Sequence, residues 1–124
     1  MIRSMTNLVK IDLSEVNLPM LFERAFSENQ MIKKVTLPNN LETIGDYAFD
    51  ECFSLKTVTF ERDSQLKTIR DFAFHSCGSL TSIEIPEGVT TIGEEAFWHC
   101  SSLTSIKISK NVETIGEKAF SNCT

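Results

Sequence analysis

The sequence predicts a solenoid of about five coils, each built from short parallel strands and tight turns. The dipeptide Ala-Phe occurs five times in the 124 residues, at steps of 23, 25, 23 and 23 residues. Each copy also has a strand-like apolar pattern before it and turn signals beside it. A motif that returns at a near-fixed step of this size indicates one supersecondary unit stacked repeatedly. Since a single unit cannot bury its apolar side alone, the core is expected to form between neighbouring coils.

The first element of each unit is predicted to be a short strand. In the fourth unit the pattern is Leu80-x-x-Ile83-x-Ile85, whose last two apolar residues stand two apart, the period of a strand with one buried face. We expect these strands to pair in parallel from coil to coil. Their central apolar residues should belong to the core, and they are Ile11, Val35, Val58, Ile83 and Ile106.

A second, shorter strand and a turn follow in each unit. An apolar pair such as Val89 and Ile92 comes next, and in three of the five units a glycine stands directly after it. An acidic residue such as Glu94 then precedes Ala-Phe. Negative charge suits the start of a helix, where backbone N–H groups are free. The pattern therefore predicts a short second strand and then a single helical turn.

The four cysteines are spaced one per unit, three residues after the phenylalanine. The gaps between Cys52, Cys77, Cys100 and Cys123 are 25, 23 and 23 residues, and Asn29 takes this place in the first unit. A zinc site usually needs close C-x-x-C pairs, which this row does not contain. Small buried thiols that pack between coils are the favoured interpretation. Disulfides between adjacent coils remain an alternative, and a metal site is a more remote one.

Composition and motifs restrict the function classes. A net charge of −5 and a pI near 5.0 argue against nucleic acid or an anionic membrane as the main partner. No apolar run approaches the ~20 residues that span a bilayer, so membrane insertion is not expected. Residues 1–5 do not resemble a signal peptide. Neither His75 nor His99 has a recognisable nucleophile motif, and no phosphate-binding glycine loop is present, so we predict no catalytic residues, no metal and no cofactor.

The outward-facing side chains of the first strands are the candidate binding face. Side chains between the apolar positions must point to solvent, and they form two rows across the coils. One row contains Lys10, Lys34, Thr57, Ser82 and Ser105. The neighbouring row contains Asp12, Thr36, Thr59, Glu84 and Lys107. Such a face can bind an extended protein or can be a merely solvated strand surface. Trp98, the only tryptophan, is a candidate anchor for a partner or a residue that packs against the next coil.

The units resemble a known family. The segment that runs from Ser79 through Gly93-Glu94-Glu95-Ala96-Phe97 to Cys100 is similar to the BspA-type leucine-rich repeats. The third unit has Arg70 in place of the glycine, and the first unit has neither the glycine nor the cysteine. The resemblance implies a leucine-rich-repeat right-handed solenoid with its short parallel strands on the concave face. It also implies a cell-surface or secreted protein that mediates adhesion, in some members by binding host matrix proteins such as fibronectin.

These observations predict one leucine-rich-repeat domain over residues 1–124, and a segment of a longer array. The repeats are expected at 8–29, 30–52, 53–77, 78–100 and 101–123, with 1–7 as the tail of a preceding repeat. The predicted function is a non-enzymatic protein–protein interaction module within a surface or secreted adhesin. The alternatives are a structural repeat that self-associates through uncapped coil ends, an intracellular scaffold, and an enzyme's targeting module.

Overall fold

The computed structural model describes residues 10–123, which form a parallel β-solenoid of about five turns. The predicted tail at 1–7 lies outside the described residues. Each coil contributes a first strand and a shorter second strand. The first strands are β1 (Lys10–Asp12), β3 (Lys34–Leu37), β5 (Thr57–Phe60), β7 (Ser82–Glu84) and β9 (Ser105–Lys107). The second strands are β2 (Met20–Leu21), β4 (Thr43–Ile44), β6 (Thr68–Ile69), β8 (Thr91–Ile92) and β10 (Thr114–Ile115). Over this range the chain contains no helix long and apolar enough to cross a membrane.

The second strands form one continuous parallel sheet through all five coils. Its strand order is β10-β8-β6-β4-β2, and each strand contributes two residues. The register aligns the second residue of each strand with its equivalent in the next coil, as in the pair Ile69 and Ile92. This sheet therefore links the coils along the whole described length.

The first strands, by contrast, form two separate sheets. β1, β3 and β5 make a three-stranded sheet, and β7 and β9 make a two-stranded one. β5 and β7 remain side by side with Cα atoms within 8 Å, but no backbone hydrogen bond of the described residues joins them. The ladder was expected to be continuous. It is interrupted at the coil with two extra residues, which lie in the loop 61–65 directly after β5. We call this interruption the strand gap.

The turn segments differ from the single helical turn that the acidic residue predicted. In the second coil, the N–H groups of Ala48, Asp50 and Cys52 each donate to the carbonyl three residues earlier, at 3.1–3.2 Å. The N–H groups of the alternate residues Tyr47, Phe49 and Glu51 donate to carbonyls of the third coil instead, at 2.7–3.0 Å. Overlapping β-turns result, because half of the donors serve the neighbouring coil. The third residue of every other turn takes a positive φ, such as 60° at Tyr47 and 57° at Glu51, the feature of a type II turn.

The core lies between the coils and follows the repeat. The five Ala-Phe phenylalanine rings stack in a row with centroids 5.1–5.4 Å apart, and those of Phe49, Phe74 and Phe97 are fully buried. Of the five central first-strand residues, Val35, Val58 and Ile83 are buried as predicted. Their equivalents in the two terminal coils are only half-buried, because a single neighbouring coil covers them.

The cysteines form a second row, buried except for the half-buried Cys123, and are free thiols. Each thiol donates to the phenylalanine carbonyl of the preceding coil, and the Sγ–O distances are 3.1–3.2 Å for Cys52, Cys77, Cys100 and Cys123. Burial raises the pKa of Cys52 and of Cys100 to about 12. The structure thus shows the favoured arrangement, small thiols packed between coils and bonded to the backbone.

Candidate binding face

The first strands place the two predicted rows side by side, because the parallel register aligns equivalent residues of adjacent coils. In the first sheet Lys10, Lys34 and Thr57 are successive register partners, and in the second Ser82 pairs with Ser105. The other row is aligned in the same way, with Asp12, Thr36 and Thr59 in one sheet and Glu84 with Lys107 in the other. All ten side chains are exposed except that of Thr36, which is half-buried.

An open cleft lies at the strand gap, in the middle of this face. It has a volume of about 410 Å³, and Val58 and Ile83, only 6% and 4% exposed, belong to its lining. Six of the ten candidate residues line it, namely Thr57, Thr59, Ser82, Glu84, Ser105 and Lys107. A second cleft of about 270 Å³ adjoins it at the loop 61–65 and shares Phe60, Glu84 and Lys107. The gap is therefore a concave part of the predicted face.

The chemistry of the cleft is mixed and polar. Hydroxyl groups dominate its walls, and the one ion pair, Lys107 Nζ with Glu84 Oε2, is 3.9 Å long and well exposed. An exposed pair of this kind contributes little to stability. The facing edges of β5 and β7 also carry backbone N–H and C=O groups that no described strand satisfies across the gap. A ligand that offers both hydroxyl partners and backbone groups would match these donors and acceptors.

The turn segments carry a second cluster, centred on His75. Its Nδ1 lies 2.9 Å from Asp50 Oδ1, its Nε2 lies 3.6 Å from Glu95 Oε1, and its ring stacks on Trp98 at 4.8 Å. Burial is the main cause that raises the pKa of Asp50. Sequence reasoning missed this cluster, although Asp50, His75 and Trp98 all stand one residue after the repeated phenylalanine and so form a row across three coils.

The geometry of this cluster does not match a hydrolase triad. Ser76 Oγ lies 3.3 Å from His75 Nδ1, the same nitrogen that Asp50 contacts. A Ser-His-Asp relay requires the serine and the aspartate on opposite ring nitrogens. Here both nitrogens face carboxylates instead, so the arrangement orients the histidine without activating a nucleophile.

Trp98 stacks on a residue of the third coil, and its role as an anchor stays a prediction. It is half-buried, with its ring against His75 on one side and tilted against His99 at 4.9 Å on the other. It also lines a shallow cleft of about 360 Å³ together with Phe53, whose side chain is 46% exposed. This site lies on the turn segments, apart from the two first-strand rows.

Comparison with known families now identifies the repeat. The sequence model of the BspA type leucine rich repeat region matches residues 3–124 in six copies. The chain belongs to the BspA-type leucine-rich repeat family. Proteins with this fold generally act as non-enzymatic scaffolds for protein interactions, and the described residues contain no catalytic constellation. No protein of curated function matches the sequence.

Solved leucine-rich-repeat structures share the fold of this BspA-type chain. The leucine rich repeat protein TpLRR of T. pallidum is 31% identical, with a TM-score of 0.85 over 91% of this chain and 54% of that one. The pneumococcal vaccine antigen PcpA is 24% identical, with a TM-score of 0.77 over 93% of this chain and 32% of that one. A leucine rich cell surface protein from Faecalibacterium prausnitzii is 24% identical, with a TM-score of 0.59 over 94% and 45%. The chain therefore spans about half or less of these proteins' lengths.

Proposed function

We propose that this chain is a non-enzymatic protein-interaction module that binds an extended segment of a partner protein on its first-strand face. The observation that carries the proposal is the cleft at the strand gap, because six outward-facing candidate side chains line it. The binding segment would lie across β5 and β7, with hydroxyl side chains on both strands and the charged side chains of Glu84 and Lys107 on β7 and β9.

The form of the cleft supports a polypeptide partner. The cleft is open, and its six polar side chains are exposed and spread over three coils. Sites for small molecules are usually deeper, mostly apolar and largely enclosed. A peptide backbone can pair with strand-edge groups, while side-chain pockets supply specificity. One such contact is weak, and an array of similar coils would add avidity.

We further propose that the module functions in a cell-surface or secreted adhesin, with a host or matrix protein as its ligand. This part rests on family membership and on what the BspA-type resemblance implies, since a fold alone does not determine a function.

The test is a binding titration with a combined variant of the cleft. Thr57, Thr59, Ser82 and Glu84 are replaced together by alanine, and binding to immobilised fibronectin and other matrix proteins is measured by surface plasmon resonance. We expect affinity to fall by at least about tenfold, as when several central contacts are lost. A matched variant with alanine at the exposed residues Glu113, Thr114 and Glu117 should bind normally. Unchanged binding by the cleft variant, with its fold intact, would show that the face is dispensable.

We also propose an assembly role as a second candidate, supported by the apolar end of the last coil. Ile115 is 49% exposed and Ile108 is 39% exposed, whereas their equivalents Ile92 and Ile85 are 0% and 5% exposed under the next coil. The end of the fifth coil thus presents side chains that a stacked coil would bury. A second copy of the chain could supply that coil.

A further inference from the structure

Four exposed lysines lie together on the first-strand side of the first three coils. Lys10 and Lys34 are direct register partners on β1 and β3. Lys33 and Lys56 are neighbours one position earlier, and the N–H of Lys56 donates to the carbonyl of Lys33 at 2.8 Å. We call these four residues the lysine patch. Adjacent parallel strands are about 4.8 Å apart, so like charges stand on neighbouring coils at both positions, on the strands for Lys10 and Lys34 and directly before them for Lys33 and Lys56.

Some other charged residues on neighbouring coils are opposite and form ion pairs, namely Arg70 with Asp46 at 3.2 Å and Lys107 with Glu84 at 3.9 Å. The like-charged carboxylates of Asp46 and Asp71 each accept a hydrogen bond from a backbone N–H of the next coil. The four patch lysines form no ion pair with any described residue.

One carboxylate on the same strands stands near the patch, and hydrogen bonds from Ser14 and the charge of Lys10 contribute to lowering its pKa. Asp12 is the acidic residue of β1, and its Oδ1 accepts a hydrogen bond from the N–H of Ser14 at 2.9 Å. Like charges on directly opposed strand residues are destabilising. The patch therefore stays net positive, with four ammonium groups beside the one carboxylate of Asp12, as expected of a surface that meets an anionic partner.

The patch is basic although the whole chain is acidic. The five turn segments 22–29, 45–52, 70–77, 93–100 and 116–123 contain nine acidic and three basic residues, and the rest of the chain contains eight acidic and nine basic ones. The net negative charge thus belongs to the turns. A long polyanion would meet repulsion from them, while a short acidic segment on the patch would not have to extend that far.

We propose that the lysine patch binds a short acidic segment of the partner polypeptide, its carboxylates pairing with the four ammonium groups. The lysine patch is only three coils wide, about 10 Å, and Thr57, Thr59 and Glu84 follow it along the face. Hydroxyl groups there can bond to peptide groups, and Glu84 would repel a continuous sulfated chain. This inference rests on the proposed function, since it assigns the partner chemistry of the same face.

The direct test uses a fluorescent oligoglutamate peptide as the probe, with anisotropy measured at low and moderate salt. The variant Lys34→Glu/Lys56→Glu should bind at least about tenfold more weakly than the wild type. The matched variant Lys67→Glu/Lys110→Glu changes the net charge equally at exposed lysines outside the patch, and it should bind like the wild type. Affinity should also fall as salt increases.

Several outcomes would overturn the proposal. Equal losses in both variants would show a general effect of net charge, and no binding of oligoglutamate at low salt would exclude the acidic segment. Patch-dependent binding of heparin that is tighter than that of oligoglutamate would assign the site to a sulfated polysaccharide. Failure of the proposed function is a separate result, because the alanine variant of the cleft keeps all four lysines.

A second variant tests the like-charge premise without any ligand. Lys34→Thr introduces the residue type that the next coil has at the equivalent position, Thr57. Removing one of two adjacent ammonium groups should raise the thermal midpoint by about 1–3 °C at low salt, and the gain should shrink at high salt. An unchanged or lower midpoint would show that the patch is not a repulsive cluster and would overturn the argument.

Discussion

Each cysteine has the same task at the residue scale: it fills space between two coils and satisfies a backbone carbonyl. Burial raises the pKa of Cys52 and of Cys100 to about 12 from an ordinary value of 9.0. Desolvation of the thiolate is the main cause in both. Since the thiolate is the reactive form, these buried thiols are poor nucleophiles at neutral pH.

The raised thiol pKa values predict a loss of stability under alkaline conditions. Unfolded thiols ionise near pH 9, while the folded ones keep their protons until about pH 12. The stability from this effect is complete below pH 9 and is lost as the pH rises towards 12. The free energy of unfolding should fall by up to about 1.4 kcal/mol per pH unit for each such thiol.

Urea titrations between pH 7 and 10.5 measure this slope. Cys52→Ala should give a shallower slope than the wild type. Cys123→Ala should change the slope less, because this thiol is only half-buried and its thiolate is less desolvated. Equal slopes for all three proteins would contradict a raised pKa of the Cys52 thiol in the folded protein.

Periodicity predicted the strands at the element scale, but it did not predict where they separate. Val58 and Ile83 occupy the expected core positions and are buried, so the apolar pattern is the same on both sides of the gap. The pairing depends instead on the path of the loop 61–65, whose residues follow no repeat. The apolar pattern indicates which face of a strand is buried. Whether two adjacent strands form hydrogen bonds depends on a shift of a few ångströms between their backbones, which the pattern does not encode.

The turn segments differed from expectation for a similar reason. The acidic residue before Ala-Phe is a local signal, and it favoured a helical turn. Tyr47 and Glu51 adopt positive φ values although neither is glycine or asparagine, so the local sequence gave no sign of them. Hydrogen bonds to the next coil decide the conformation, and these exist only after stacking. The row of Asp50, His75 and Trp98 was missed for another reason, since its three residues differ in type although each follows the repeated phenylalanine directly.

Shortening the third coil should close the strand gap. Deletion of Asp63 and Ser64 restores the 23-residue step, so β5 and β7 should regain a parallel ladder. Amide hydrogen exchange of Ser82 and Glu84 should then slow, because their N–H groups face β5 and become hydrogen-bonded, whereas that of Ile83 faces β9 already.

A length-preserving control separates this effect from a change of loop composition. Glycine at both Asp63 and Ser64 should leave exchange in β7 as fast as in the wild type. A shortened protein that folds but shows no added protection in β7 would refute the role of the two extra residues.

At the scale of the whole molecule, the second strands join all five coils in one sheet, whereas the first strands form two separate sheets. The last coil is also incompletely covered. Its half-buried core residues include Val112 and Phe120, and Ile108 and Ile115 are exposed. Such a surface is complementary to another coil, since identical positions are buried wherever a coil follows.

Concentration-dependent association should therefore occur through this end. Sedimentation velocity of the wild type should show a rising average mass as concentration increases, and Ile115→Lys should remain monomeric with little change in stability, because its side chain is half exposed. Met31→Lys is the matched control, a similarly exposed apolar residue, 45% against 49%, in the second coil. A wild type that is monomeric throughout the range would exclude the assembly role.

The continuous second-strand sheet has a mechanical consequence. Force applied to the two ends of the solenoid acts across successive interfaces whose second-strand ladders contain only two residues per strand. No disulfide cross-links the four cysteines, so coils can detach one after another rather than all at once. Each released coil of 23 residues would lengthen the chain by about 80 Å. A tether of such coils extends in steps under load and keeps its remaining coils folded.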